Sequence, residues 1–552
     1  MSFSKRILGI LMLITLVTYS CKRKKDIEIV ELEPKPVDTV VKDTVVKVAT
    51  RDELTKDSIF LYAKQVYYWY DALPADTVFK PRSFTQSANS LSNYESELFK
   101  ITQYKINPQT TKPYEYVSAT AGYPKYSYIT DITQQNTISS TDAFKSSVDL
   151  NDIGSDFGLK INFYGSSNNY RIYVQAVYPN SPAESAGLKR GDYINVINGS
   201  SVGSNFDSQF DAVYAALFES SSVIISGKRR DNTNFLNIAL VKKSYTSTPI
   251  LKDTVFVSGA KKIGYMSYAR FSNPSNSVSK FNEVFNKFAS SGVTDLIIDL
   301  RYNGGGYVSS AEYLTNLIAP SSLNNTTMFT EYYNQLMQQN YQSRNTNPTA
   351  PLLAKQYILT SLNQKQDSNS DGKWDSYADI DFSAANQITK FAKKGSLGSI
   401  NKIAFIVTGA TASASELVIN CLKPHLNVKV VGAKSYGKPV GFFPIRIDKY
   451  DVYYSMFETK NSLGSGGYFN GITPDIAAAD IVFDETNYDM WSQNDPSFSA
   501  AFNFIVSATT SAVSSKKQAG ALATIAKPLS SQGKSLEDVF FKGMVEDRIK
   551  IK

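Results

Sequence analysis

Ser413 stands in the run Gly409-Ala410-Thr411-Ala412-Ser413-Ala414-Ser415-Glu416-Leu417, directly after the apolar stretch KIAFIV and directly before residues of helical spacing. A serine on a sharp strand-to-helix turn is presented for attack, and the free N–H groups of a helix N-terminus suit a developing oxyanion. Small neighbours let another backbone approach closely. An N-capping serine looks the same, so the turn alone does not decide. Lys438, in Ser435-Tyr436-Gly437-Lys438-Pro439, follows a second apolar run, NVKVVGA. A lysine in a loop between apolar strands can lose its proton by desolvation and serve as a base near neutral pH. Asp299-Leu300-Arg301-Tyr302-Asn303-Gly304-Gly305-Gly306 follows a third buried-type run, and its glycines can present a further N–H donor.

What is missing narrows the chemistry. There is one histidine, His425, so a Ser-His-Asp or Cys-His arrangement would have to use it. It follows Lys423-Pro424, at the far end of the helix that Ser413 opens, where a surface position is expected. No His/Cys cluster suggests zinc, and there is neither a P-loop nor a dinucleotide-type glycine loop.

Taken together, these motifs resemble the C-terminal processing (tail-specific) proteases of serine peptidase family S41. The resemblance runs through the DLRxNxGG element, the SASE turn, the following lysine and Gly471-Ile472-Thr473-Pro474-Asp475. It implies Ser413 rather than Ser415 as nucleophile, and as general base the lysine 25 residues on, which is Lys438. It further implies the backbone N–H groups of Gly305 and Ala414 as oxyanion donors, with Asp299, Arg301 and Asn303 holding their loop. Many members carry a Gln four residues after the lysine; here that position is Phe442. Lysine orientation must then come from Glu416 or a backbone carbonyl, although Glu416 reads equally as a first-turn carboxylate favouring the helix dipole. The departure also leaves a rival reading, a catalytically impaired binding or scaffold lipoprotein.

The elements that position these residues read as an α/β core over 250–480, with strands at 262–271, 294–300, 402–409 and 427–433. The resemblance makes this a crotonase/ClpP-like protease core. Residues 320–395 read as a polar insertion rich in Asn, Gln and Ser. Within it, Asp367, Asn369, Asp371 and Asp375 fall at calcium-loop positions around Gly372, while Ala378 takes the place of the bidentate acid. Calcium would be structural; no cofactor is required for the chemistry above.

Residues 147–245 change to short alternating strands, and Ser181–Val202 follows an order of helix start, Gly stop, Gly-Asp and Asn-Gly turn that resembles a PDZ domain. The resemblance implies a β-barrel-like module in which Phe157, Gly158, Leu159 and Ile161 receive a peptide as an added strand. A module that only braces or gates its neighbour is the alternative. Residues 51–145 read as a small, mainly helical N-terminal domain, with Tyr67, Tyr68, Trp69 and Tyr70 as packing, and 481–552 as a further extension with a helix at Ser497–Ala508.

The chain has 552 residues, too many for one hydrophobic core, and a net charge of +8. Lys5, Arg6, Lys22, Arg23, Lys24 and Lys25 carry six of those charges, so the remainder is close to neutral and a nucleic-acid surface is not supported. Lys5 and Arg6, the apolar Ile7–Val17 and Thr18-Tyr19-Ser20-Cys21 form an export signal over 1–21 that resembles a lipoprotein signal. The expectation is an exported, bacterial envelope protein, membrane-anchored through a lipidated Cys21, with a tether at 22–50 and protein or peptide substrates. Simple secretion is the alternative. Cys421, the other cysteine, reads as a small buried apolar residue.

Overall fold

The computed structural model describes residues 48–117, 122–134, 148–339, 351–360, 364–482, 489–507, 529 and 543–548. The signal, Cys21 and the tether up to residue 47 lie outside them. The described residues from Thr50 on form one compact unit.

Its centre is a six-stranded sheet. In spatial order the strands are Ile250–Ser258, Lys261–Tyr268, Asp295–Asp299, Lys402–Val407, Asn427–Gly432 and Ile476–Ala477. The first pair is antiparallel and the remaining neighbours are parallel. Leu296, Ile297, Ile298, Ile403, Ala404, Phe405 and Ile406 are all fully buried, as parallel strands covered on both faces must be. One cover is the helix Pro274–Ser290, which presents Phe281, Val284, Phe285 and Phe288 on one stripe. Asn273 caps it and Pro274 fills its first turn. The other is the helix Pro496–Val506, whose Phe498, Ala501 and Ile505 pack against Ile263, Tyr265, Ile297, Ala404, Ile406 and Val431. The chain's three chemically suggestive loops therefore all leave the carboxyl ends of parallel strands, where α/β sheets place their sites.

A second sheet, in the order Asn234–Val241, Ser222–Lys228, Tyr193–Ile197, Asn169–Val177, Leu159–Ser166, encloses its own apolar core. This is the PDZ-like module expected from sequence, and Leu159–Ser166 is its edge strand.

The early residues are not a free-standing domain. The helix Arg51–Val66, closed by a Thr50/Glu53 capping box, shares one apolar cluster with the six-stranded sheet. Tyr128–Asp131 adds a strand to Tyr450–Tyr453, and Tyr454 OH donates to Ile59 O at 2.8 Å. The early segment's apolar residues Ile59, Phe60, Val66 and Leu98 thus complete their core on the neighbouring sheet rather than only among themselves. The stretch 320–395 likewise contributes structure. Its Thr327–Tyr333 and Ile388–Lys390 strands join Phe457–Asn461 and Val440–Gly441 in a four-stranded sheet, with Met328 and Phe329 buried. Beyond residue 481, the helix Pro496–Val506 covers the main sheet, and Gly543–Val545 pairs with Gly305–Tyr307.

Shared packing has a measurable consequence. Phe60 is fully buried and stacks on Phe79 at 4.0 Å. Phe60→Ala is expected to cost about 3–5 kcal/mol. Chemical unfolding followed by near-UV circular dichroism should show the early helices and the main core lost in one transition. A separate early transition, with the core unmoved, would contradict the shared core.

Candidate active site

The strand Lys402–Val407 ends in a turn in which Ser413 takes φ +61° and ψ −112°. That conformation is unusual for a residue with a Cβ and costs on the order of 1–3 kcal/mol, so surrounding bonds must impose it. Thr411 Oγ1 donates to Leu300 O at 2.7 Å and Ala412 N to Asn303 O at 3.0 Å. Ser415 Oγ also donates to Asn303 O, at 3.1 Å, so the neighbouring serine is spent on holding the turn. Ser413 itself is buried, and among the described residues its Oγ has no hydrogen-bond partner. Ala414 opens the helix Ala414–Leu422, so its N–H is among those a helix leaves without an intrahelical acceptor.

Glu416, three residues on, is fully buried and gathers four donors. Oε2 accepts from Ser413 N and from Lys438 N, both at 2.8 Å. Oε1 accepts from Gly437 N at 2.8 Å and from Ser435 Oγ at 2.5 Å. Burial pushes this carboxyl above the ordinary glutamate range, and the four donors pull the other way. One carboxylate thus ties the serine turn to the lysine loop. Its bond to the lysine is to the Lys438 backbone N–H, and it sits in the first turn of the helix Ala414–Leu422.

The Lys438 side chain is fully buried. Its Nζ donates to Tyr126 O at 3.2 Å and lies 4.2 Å from the Phe442 ring centroid and 5.7 Å from that of Tyr126. Phe442, at the position where many S41 members have Gln, offers the amine a ring face in place of an amide. Tyr126 is held in turn. Its OH donates to Gly437 O at 2.6 Å and its N–H to Glu115 Oε2 at 3.0 Å. Glu115, fully buried, also accepts from Ser127 N, Ser127 Oγ and Ser455 Oγ at 2.8, 2.8 and 2.9 Å. Sequence reasoning missed Tyr126 and Glu115. Tyr126 acts through a main-chain carbonyl, which any residue type carries, and no motif marks either position.

The glycine loop faces the same turn. Asn303 Nδ2 donates to Tyr268 O and Asn303 Oδ1 accepts from Gly305 N, each at 2.9 Å. Gly305 N–H, the oxyanion donor implied by the family, is therefore engaged by its own loop in this structure. Gly305 and Gly306 have φ of +102° and +138°, and a Cβ on Gly306 would fall 2.0 Å from Phe271 O. Arg301, fully buried, pairs with Asp299, Asp480 and Asp495. Arg190, from the PDZ-like module, donates to Tyr302 OH at 2.8 Å and to Asp480 Oδ1 at 2.7 Å. Burial pushes the Asp480 carboxyl up, but Arg190 and Arg301 together hold it down at about 2. The module is thereby ionically linked to the loop behind Ser413.

Other sequence candidates lie elsewhere. Phe157, Leu159 and Ile161 are core residues of the PDZ-like module, and Gly158 N donates to Asp156 Oδ1 at 2.9 Å. In the calcium-like loop, Asp367 accepts from Asp371 N and Gly372 N, Asn369 from Asp371 N, Asp371 from Lys373 N, and Asp375 from Ser368 Oγ. Asp379 is turned to Ser376 N. No group of three or more acid, His or Cys side chains converges on a metal position among the described residues. His425 Nε2 lies 3.0 Å from Ser462 Oγ and its ring packs on Phe391, away from the serine turn's hydrogen bonds. Cys421 is fully buried, which pushes its thiol up.

Residues 262–478 match peptidase family S41, and residues 147–210 match the PDZ domain. The chain is 23% identical over 291 residues to a chloroplastic C-terminal processing peptidase of Tetradesmus obliquus, covering 51% of this chain and 50% of the relative. It is 24% identical over 322 residues to the carboxy-terminal processing protease CtpB of Bacillus subtilis, covering 56% and 52%. The chain thus spans about half the length of the curated relatives it matches. Among solved structures, an S41 protease from Bacteroides fragilis superposes with TM-score 0.49 at 18% identity, covering 81% of this chain and 96% of that one. With both matches in place and in order, residues 262–478 carry a peptidase family S41 core and residues 147–210 a PDZ domain ahead of it.

Proposed function

We propose that the chain is a serine endopeptidase of the C-terminal processing kind, working through Ser413 and Lys438 on exported proteins. The observation that carries this is the Glu416 carboxylate, which fixes the strained Ser413 and the Lys438 backbone to a single point. Ser413 Oγ attacks the scissile carbonyl carbon while neutral Lys438 Nζ takes its proton. Full burial of the side chain takes the amine out of water, which favours the uncharged form that a base requires. The oxyanion formed is held by Ala414 N and, once released from Asn303, by Gly305 N. Collapse breaks the peptide C–N bond, Lys438 gives its proton to the leaving amine, and an acyl-serine remains. Water, deprotonated by the same lysine, releases it. The PDZ domain contributes by holding substrate chains or their ends as an added strand. The export signal and Cys21 favour action in the bacterial envelope from a lipid anchor.

Ser413→Ala and Lys438→Ala should each abolish cleavage of a dye-labelled unfolded protein while leaving circular dichroism unchanged. Full activity in either variant would sink the dyad. Glu416→Gln replaces an all-acceptor carboxylate with a group that faces four donors with an NH2. It should cost about 1–3 kcal/mol and lower kcat about 10–100-fold. Glu416→Asp should recover part of that loss; a Gln variant with native kcat would remove Glu416 from the positioning role.

A further inference from the structure

One segment has no part in the chemistry above, yet lies inside the site. Gly543–Val545 is a strand running between the two walls of the cleft. On one side it pairs in parallel with the glycine loop, Gly305 opposite Gly543, Gly306 opposite Met544 and Tyr307 opposite Val545. Gly543 N donates to Gly304 O at 2.9 Å. On the other side Phe442 N donates to Met544 O at 3.0 Å and Glu546 N to Phe442 O at 2.9 Å. These walls are the ones that serve the nucleophile and the lysine. The approach is close: a Cβ on Gly305 would lie 2.3 Å from Gly543 O and 2.9 Å from Ser413 Cβ.

Side chains anchor the segment further. Met544 is fully buried within the main core. Asp547 accepts from Ser309 N and Oγ. Arg548 donates to Glu331 Oε1 at 2.7 Å, to Glu312 Oε2 at 2.9 Å and to Thr389 Oγ1 at 2.9 Å, and its guanidinium sits 5.2 Å from the Phe329 ring centroid. Glu331 is 1% exposed, so a cation is the partner its pocket calls for. Earlier in the same part of the chain, Leu529 N donates to Phe163 O at 2.8 Å and Leu529 packs on the PDZ core. Phe163 belongs to the edge strand Leu159–Ser166, the edge open to strand addition.

An extended backbone bonded on both sides, with side chains in pockets, is how a peptide ligand is held. We propose that this distal part of the chain is an intramolecular peptide ligand. Gly543–Arg548 fills the substrate cleft and Leu529 takes the PDZ edge, so a substrate must displace them. The proposal rests on the peptidase reading of the cleft and deepens it. It assigns the incoming ligand's class: an extended peptide with an apolar side chain in the Met544 pocket and an arginine between Glu312 and Glu331. The unbonded Ser413 Oγ, with Lys438 Nζ turned to Tyr126 O, accords with a self-occupied site.

The test uses the full chain with Met544→Asp and Arg548→Glu together. If the segment holds the cleft in roughly nine molecules of ten, release should raise hydrolysis of a dye-labelled unfolded protein about tenfold below KM. The synthetic peptide GMVEDRIK should then inhibit that variant by raising KM at constant kcat. Binding is read separately in a Ser413→Ala background, where fluorescent GMVEDRIK should bind the released chain about tenfold more tightly than the chain with its native segment. Equal binding to both chains, or none to either, overturns the proposal. Absence of hydrolysis in every chain, with the binding difference intact, upholds the docked segment and defeats the peptidase reading instead. Should the double variant not fold, Arg548→Ala removes the guanidinium's ion pairs and its contacts with Thr389 and Phe329, keeps the Met544 side chain, and is read by the same binding difference.

Discussion

The buried carboxylate of Glu416 is the constraint on which the site depends. A charge taken out of water is expensive unless every lone pair finds a donor, and one unmet donor leaves a penalty of a few kcal/mol. Here the donors come from Ser413, Ser435, Gly437 and Lys438, two loops brought together only by folding. Satisfying the carboxylate therefore requires the serine turn and the lysine loop to meet. The same bonds hold Ser413 in a left-handed conformation that it would otherwise leave.

Glu115 repeats the device on the other side of Lys438. Its four donors come from Tyr126, Ser127 and Ser455, and the result is a carbonyl, Tyr126 O, aimed at Nζ. Two buried carboxylates thus fix the backbone in front of and behind the amine, and Phe442 closes the third side with a ring face. A third ionic cluster, Arg301 and Arg190 on Asp299, Asp480 and Asp495, braces the glycine loop and connects it to the PDZ domain. Each cluster draws residues from different parts of the chain, and the Glu115 cluster, through Ser455, ties the early segment to the peptidase core.

What was legible in the sequence was local. Small residues around Ser413, glycines at positive φ in the loop after Asp299, and a lysine after a buried strand each report their own backbone requirements. The parallel strands were readable because burial on both faces demands unbroken apolar runs. Tyr126 and Glu115 were not readable, because they reach Lys438 across more than three hundred residues through a carbonyl and a buried acid. The Gly543–Val545 strand escaped for a related reason: main-chain pairing is indifferent to residue type, and three residues set no period. Phe442 departs from the family pattern in the sequence itself, yet its ring face toward the amine is visible only in three dimensions.

The central claim is that Ser413 is an activated nucleophile, made so by Lys438 and by the Glu416 clamp. Labelling with a fluorophosphonate probe, followed by mass spectrometry of the modified peptide, tests it most directly. One adduct is expected, on Ser413, and it should disappear when Lys438 is replaced by alanine. Labelling on another serine, or undiminished labelling of Ser413 without Lys438, would contradict it.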